Sequence, residues 1–117
     1  SANLKLTELH IKNNLLTDID LTANPELERL IIENNNLNTL DTTANPKIFD
    51  LEIGGNQFSG PQLDQILSQI YDQAILNSVM DGYMDYKNNP GTADIANTTI
   101  SKLNELVATY NWFFNNN

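Results

Sequence analysis

The pattern L-x-x-L-x-L-x-x-N-x-L fits this chain three times, at steps of 21 residues. It takes Leu6, Leu9, Ile11, Asn14 and Leu16, then Leu27, Leu30, Ile32, Asn35 and Leu37, then Ile48, Leu51, Ile53, Asn56 and Phe58. The stretches between copies keep the same beat, since Ile19-Asp20-Leu21-Thr22-Ala23-Asn24-Pro25 returns as Leu40-Asp41-Thr42-Thr43-Ala44-Asn45-Pro46. A unit this short has too little apolar surface to fold alone. Its neighbours must stack on it and share one core.

Within each unit, alternation such as Leu9 and Ile11 suits a short strand, and the apolar position five residues later needs a bend before it points inward again. Stacked units then pair their strands edge to edge. Asn14, Asn35 and Asn56 fall where the chain leaves the strand, where an inward amide can satisfy backbone groups that the bend leaves unpaired. Asn24-Pro25 and Asn45-Pro46 punctuate the far bend, because proline lacks a donor and holds its predecessor extended.

The ruler changes after Phe58-Ser59-Gly60-Pro61. Leu63, Ile66, Leu67, Ile70 and Tyr71 follow at helical spacing. Met84, Tyr86 and Asn89 then repeat the relative spacing of Leu51, Ile53 and Asn56, which predicts a fourth strand. Ile100, Leu103, Leu106 and Val107 predict a second helix with Thr98 or Thr99 as its N-cap. Trp112 and Phe114 alternate as a terminal strand turned to the core, with Phe113 exposed between them.

These features resemble leucine-rich repeat proteins, and the 21-residue unit is similar to the short repeats of bacterial surface and secreted proteins. The order helix, strand, helix, Trp-containing strand looks like their C-terminal cap. The resemblance implies an α/β fold: a right-handed solenoid with a parallel sheet on its concave side. It divides the chain into repeats over 1–60 and a helix-containing cap over 61–117 of one continuous domain. It also implies binding as the activity and an extracellular or cell-surface location. Only five residues precede Leu6, too few to cap that coil, so the reading expects either that preceding repeats were cut away or that this edge meets a partner, a second copy of the chain included.

Composition narrows the function classes. The 117 residues carry a net charge of −9, which repels phosphate backbones and anionic lipid, so nucleic acid is excluded as an expected partner. No cysteine is present to make a disulfide, a thiolate nucleophile or a cysteine-ligated metal site. No apolar run approaches the ~20 residues that span a bilayer, so no membrane insertion is expected of this segment, and Ser1-Ala2-Asn3 opens nothing like a signal peptide.

Candidate chemistry is sparse. His10 is the sole imidazole and has neither a cysteine nor a G-x-S-x-G serine to activate, so no catalytic residue and no enzyme are expected. Asp18, Asp20 and Asp41 put carboxylates at corresponding places on successive units, but no calcium-loop spacing accompanies them, and solubilising charge is the better account. No phosphate-binding glycine motif appears, and no metal or cofactor is expected. Asn97-Thr98-Thr99 is formally a glycosylation sequon, and helix capping explains its threonines equally well.

What remains is the outward side of the strands. Its columns read Glu8/Arg29/Asp50, His10/Ile31/Glu52 and Lys12/Glu33/Gly54, with Tyr83, Asp85 and Lys87 as a fourth row. Ile31 and Tyr83 stand out as apolar and aromatic positions among charges. The candidate binding residues are therefore Glu8, His10, Arg29, Ile31, Glu33, Asp50, Glu52, Tyr83 and Asp85, recognising a protein or a surface polysaccharide. The competing reading is a stalk or scaffold segment of a larger surface protein that recognises nothing.

Overall fold

The structure, a computed structural model, describes residues 5–115, so the tripeptide Ser1-Ala2-Asn3 lies outside the described residues. The fold is α/β, with five parallel strands lying in chain order across one sheet. They are β1 (Glu8–His10), β2 (Arg29–Ile31), β3 (Asp50–Glu52), β4 (Tyr83–Asp85) and β5 (Phe113–Asn115). Helix α1 (Gly60–Asn77) joins β3 to β4, and α2 (Asn97–Tyr110) joins β4 to β5 after a 3-10 turn at Thr92–Asp94. Leu9, Leu30, Leu51, Met84 and Phe114 stand opposite one another across the sheet. The 21-residue step thus sets the register of the first three strands, and the longer steps to β4 and β5 each contain a helix.

Apolar burial follows the ruler. Leu27, Leu30, Ile32 and Leu37 of the second copy are 0% exposed, and Ile48, Leu51, Ile53 and Phe58 of the third join the same cluster. Each such side chain contributes ~1.5–3 kcal/mol by leaving water. Leu6, Leu9, Ile11 and Leu16 of the first copy are only partly buried, packed against the core from its edge.

The asparagines do what their position predicts from the second copy onward. Asn35 Nδ2 donates to the carbonyls of Ile11 (2.9 Å) and Ile32 (3.0 Å), while its Oδ1 accepts from Leu16 N. Asn56 repeats this one unit on, donating to Ile32 (3.1 Å) and Ile53 (3.0 Å) and accepting from Leu37 N. Asn89 repeats it again, donating to Ile53 and Tyr86 and accepting from Asn56 N and Phe58 N. Each amide therefore ties one coil to the coil before it and satisfies a bend that would otherwise bury unpaired groups. Asn14 differs: it is exposed, and its amide donates to Lys12 O. Just before this row, Asn13, Asn34, Gly55 and Asn88 all have positive φ, between 57° and 67°, the left-handed region that asparagine and glycine tolerate. Asn34 Nδ2 donates to Asn13 Oδ1 at 2.9 Å. The next place in that row is glycine because a Cβ on Gly55 would overlap Asn34 Oδ1.

Helix α1 starts at a capping box in which Ser59 accepts from Gln62 N and Gln62 Oε1 accepts from Ser59 N, with Pro61 in the first turn. Its Leu63, Ile66, Leu67 and Ile70 are buried in the same apolar cluster as the inward residues of the strands. Helix α2 departs from the expectation. Its N-cap is Ala96, without a side-chain cap, and Thr99 is instead buried inside the helix, its hydroxyl donating to Asp64 of α1 at 2.6 Å. Ile100 and Val107 are exposed, and Leu103 and Leu106 are the side chains it buries. The buried stripe thus includes Thr99, which bonds the neighbouring helix, and leaves out Ile100 and Val107. Trp112 is buried, its indole donating to Val79 O, and Phe114 is half-buried.

Candidate functional site

The outward face carries the polar side chains between the inward Leu and Met positions. Register places Glu8, Arg29, Asp50, Tyr83 and Phe113 in one column, and His10, Ile31, Glu52, Asp85 and Asn115 in the next. All nine residues singled out in the sequence thus lie on or beside one surface. Glu33 is just past β2, and its partner Lys12 just past β1.

Much of the charge on this face is paired between neighbouring rows. Arg29 Nη1 is 3.2 Å from Asp50 Oδ2, its Nε is 3.8 Å from Glu8, and its guanidinium lies 4.7 Å over the Phe49 ring. Lys12 pairs with Glu33 at 3.3 Å, and Lys87 with Asp85 at 3.3 Å. His10 Nε2 is 3.1 Å from Glu8, on the exposed side of the edge strand. Asp50 and Asp85 are buried, whereas the pairs open to solvent at both ends, Glu8 with Arg29 and Lys12 with Glu33, contribute ~0.2–1 kcal/mol each. They fix side-chain positions more than they stabilise the fold.

Ile31 corrects an expectation. It is 7% exposed, flanked in its column by His10 and Glu52 rather than standing free as an apolar anchor. Phe113 is the anchor that the columns missed. It is 67% exposed and stacks on Tyr83, with ring centroids 5.8 Å apart and planes inclined by 14°. The signal was available: Phe113 lies between the inward Trp112 and Phe114, so alternation carries the Tyr83 column into β5.

Glu52 is electrostatically the least ordinary group on the face. Burial pushes its carboxyl up to about 7, and a hydrogen bond to Asp50 adds to the rise, as do the charges of Asp50 and Glu33; Lys12 opposes them. Asp50 lies on the same strand two residues earlier and is buried, and its Oδ1 has no hydrogen-bond partner among the described residues. Tyr83 is also raised, chiefly by burial, against a hydrogen bond to Asn115 that lowers it.

The aspartates of the linking stretches are turn staples. Asp20 Oδ1 accepts from Thr22 N (2.9 Å) and Thr22 Oγ1 (2.7 Å), and Asp41 does the same for Thr43 at 2.9 and 2.6 Å. Those bonds hold both carboxyls below their ordinary range. Asp18 and Asp41 line a cleft of about 190 Å³ against Gln62, Gln65 and Ile66 of α1. Among the described residues, no three His, Cys, Asp or Glu side chains gather as metal ligands, and no helix is long and apolar enough to cross a membrane. Asn97 of the sequon opens α2 and is exposed. In comparisons with protein-family models, with curated proteins and with solved structures, the chain matches none.

Proposed function

We propose that the chain is a right-handed leucine-rich repeat solenoid serving as a non-enzymatic binding module, whose outward face, concave in that architecture, recognises another protein or a surface polysaccharide. The observation that supports this reading is Phe113, left exposed and stacked on the half-buried Tyr83 at one end of an ordered row of charged side chains. Exposed aromatics beside fixed polar groups are the composition of interface anchors. An extracellular or cell-surface location goes with the family resemblance. Among the described residues β1 pairs on one side only, and the half-buried apolar residues of the first coil are the surface that a second copy would meet there.

The test is a glycan array and a panel of purified surface proteins, probed with the wild type and with the Tyr83→Ala, Phe113→Ala double variant. Selective binding that the double variant loses, at an unchanged thermal unfolding midpoint, supports recognition. A second reading, a stalk that binds nothing, is favoured by the ion pairs running from row to row, which already engage Lys12, Arg29 and Lys87. Silence of both proteins on both arrays would establish it.

A further inference from the structure

The charges at the middle of the outward face do not cancel. Its three permanent cations are each engaged: Lys12 by Glu33, Arg29 by Asp50 and Glu8, and Lys87 by Asp85. Glu52 has no ion pair among the described residues. Beside it, the Asp50 side chain is only 10% exposed, and the Oδ1 atom it buries has no hydrogen-bond partner. In register with Asp50 is Tyr83, carrying Phe113 on its ring. An acceptor without a donor, a carboxyl without a cation and an exposed aromatic surface therefore adjoin one another.

We propose, resting on the reading of this face as a recognition surface, that its centre receives a lysine or arginine side chain from a basic segment of a partner protein. The cationic head would sit against Glu52 and Asp50, and the alkyl stem or guanidinium plane along Tyr83 and Phe113. Charge complementarity selects this partner over a neutral glycan, because a sugar hydroxyl can donate a hydrogen bond but only a cation supplies the counter-charge that the Glu52 carboxyl lacks, and the net charge of −9 draws basic segments towards the chain. Where Glu52 carries a proton, the entering cation takes its place and the proton passes to solvent. Around Glu52, the groups that set its charge are Asp50 on its own strand and Glu33 and Lys12 past β2 and β1, while Asp85, paired with Lys87, stands in register with it on β4. His10 lies two strands away in the same column.

Selection of a random 12-residue peptide library on the wild-type chain tests this, followed by fluorescence anisotropy of the enriched peptides. The expected result is enrichment of Lys- or Arg-bearing sequences whose binding weakens about tenfold from pH 8 to pH 6, the loss that one linked proton near pH 7 produces. Glu52→Gln should weaken binding and flatten the profile. Asp72→Asn, an equal charge change on the exposed side of α1, should leave both intact. Neutral or acidic enriched peptides would overturn the proposal, as would basic peptides indifferent to Glu52→Gln or equally sensitive to Asp72→Asn. Neutral peptides lost in the Tyr83→Ala, Phe113→Ala variant would overturn it while sparing the recognition reading. Failure to enrich any peptide on the wild type above that variant, together with silent arrays, would sink both.

Discussion

The first and second coils carry nearly the same pattern and end in different physical states. Leu30 and Asn35 of the second are buried, with a neighbouring coil on each side. Leu9 is half-buried and Asn14 exposed, with a neighbour on one side only among the described residues. The difference shows that in a stacked fold a residue's burial belongs to its neighbours as much as to its own place in the repeat. Stability is then the sum of each coil's own terms and the interfaces it makes, and an edge coil has one interface fewer.

The sharpest way to break this comparison is to truncate the same inward position in both coils. Leu30→Ala removes a side chain packed all round and should cost about 2–5 kcal/mol in denaturant unfolding. Leu9→Ala, half in water already, should cost about 1 kcal/mol, because less area is lost and solvent can fill the gap. Equal costs would mean that the second coil gains nothing from its second neighbour.

The asparagine row gives the next largest contrast. Asn56→Ala would orphan Leu37 N and take from the Ile32 and Ile53 carbonyls one of the two amides that serve each, at a cost of about 2–3 kcal/mol, since an orphaned buried donor is expensive. Asn14→Ala removes one local bond to Lys12 O on an exposed bend and should stay within about 0.5 kcal/mol. Amide hydrogen exchange at Leu37 offers a second readout, and it should accelerate only in the Asn56 variant.

How much of this was legible beforehand follows the same division. The register of β1 to β4 and the asparagine bridges could be read from spacing, because one repeated geometry governs them all. The buried stripe of α2 could not, because Thr99 bonds Asp64 across to α1, an interaction between segments that periodicity does not see. Ile31 was misjudged for a related reason. Alternation says which side of the sheet a residue is on, but how far its neighbours cover it depends on His10 and Glu52 from flanking strands. Phe113 was placed correctly as exposed yet left out of the candidate surface, because that surface was assembled from the 21-residue units and β5 lies outside their count. The resemblance to leucine-rich repeat proteins rests on the repeat and cap residues alone.

A smaller effect contrasts Glu52 at the middle of the sheet with the turn carboxylates at its rim. Glu52 is held up to about 7, so the folded chain binds more protons than the unfolded one between the ordinary glutamate range and about pH 7. Its contribution is therefore present at low pH and is lost as pH rises through 7, by on the order of 1 kcal/mol once solvent screening is allowed for. Asp20 and Asp41 act with the opposite sign, since their lowered values favour the fold above the aspartate range and are lost as pH falls through it. Chemical denaturation from pH 5 to pH 8 should show a decline that Glu52→Gln removes and that Asp41→Asn leaves in place.

The smallest expected effect concerns the ion pair between Lys12 and Glu33, which joins the very coils compared above. Both ends reach solvent, with the Lys12 side chain 47% and that of Glu33 17% exposed, so attraction is screened and two long side chains must be held in one geometry. Glu33→Ala should thus change stability by no more than about 0.5 kcal/mol. The same substitution removes one of the negative charges that raise Glu52, so it should lower the midpoint of the stability decline assigned to that residue. A large loss of stability with an unmoved midpoint would mean that the pair holds the first coil to the second, and that the inward Leu column does less of that work than its burial implies.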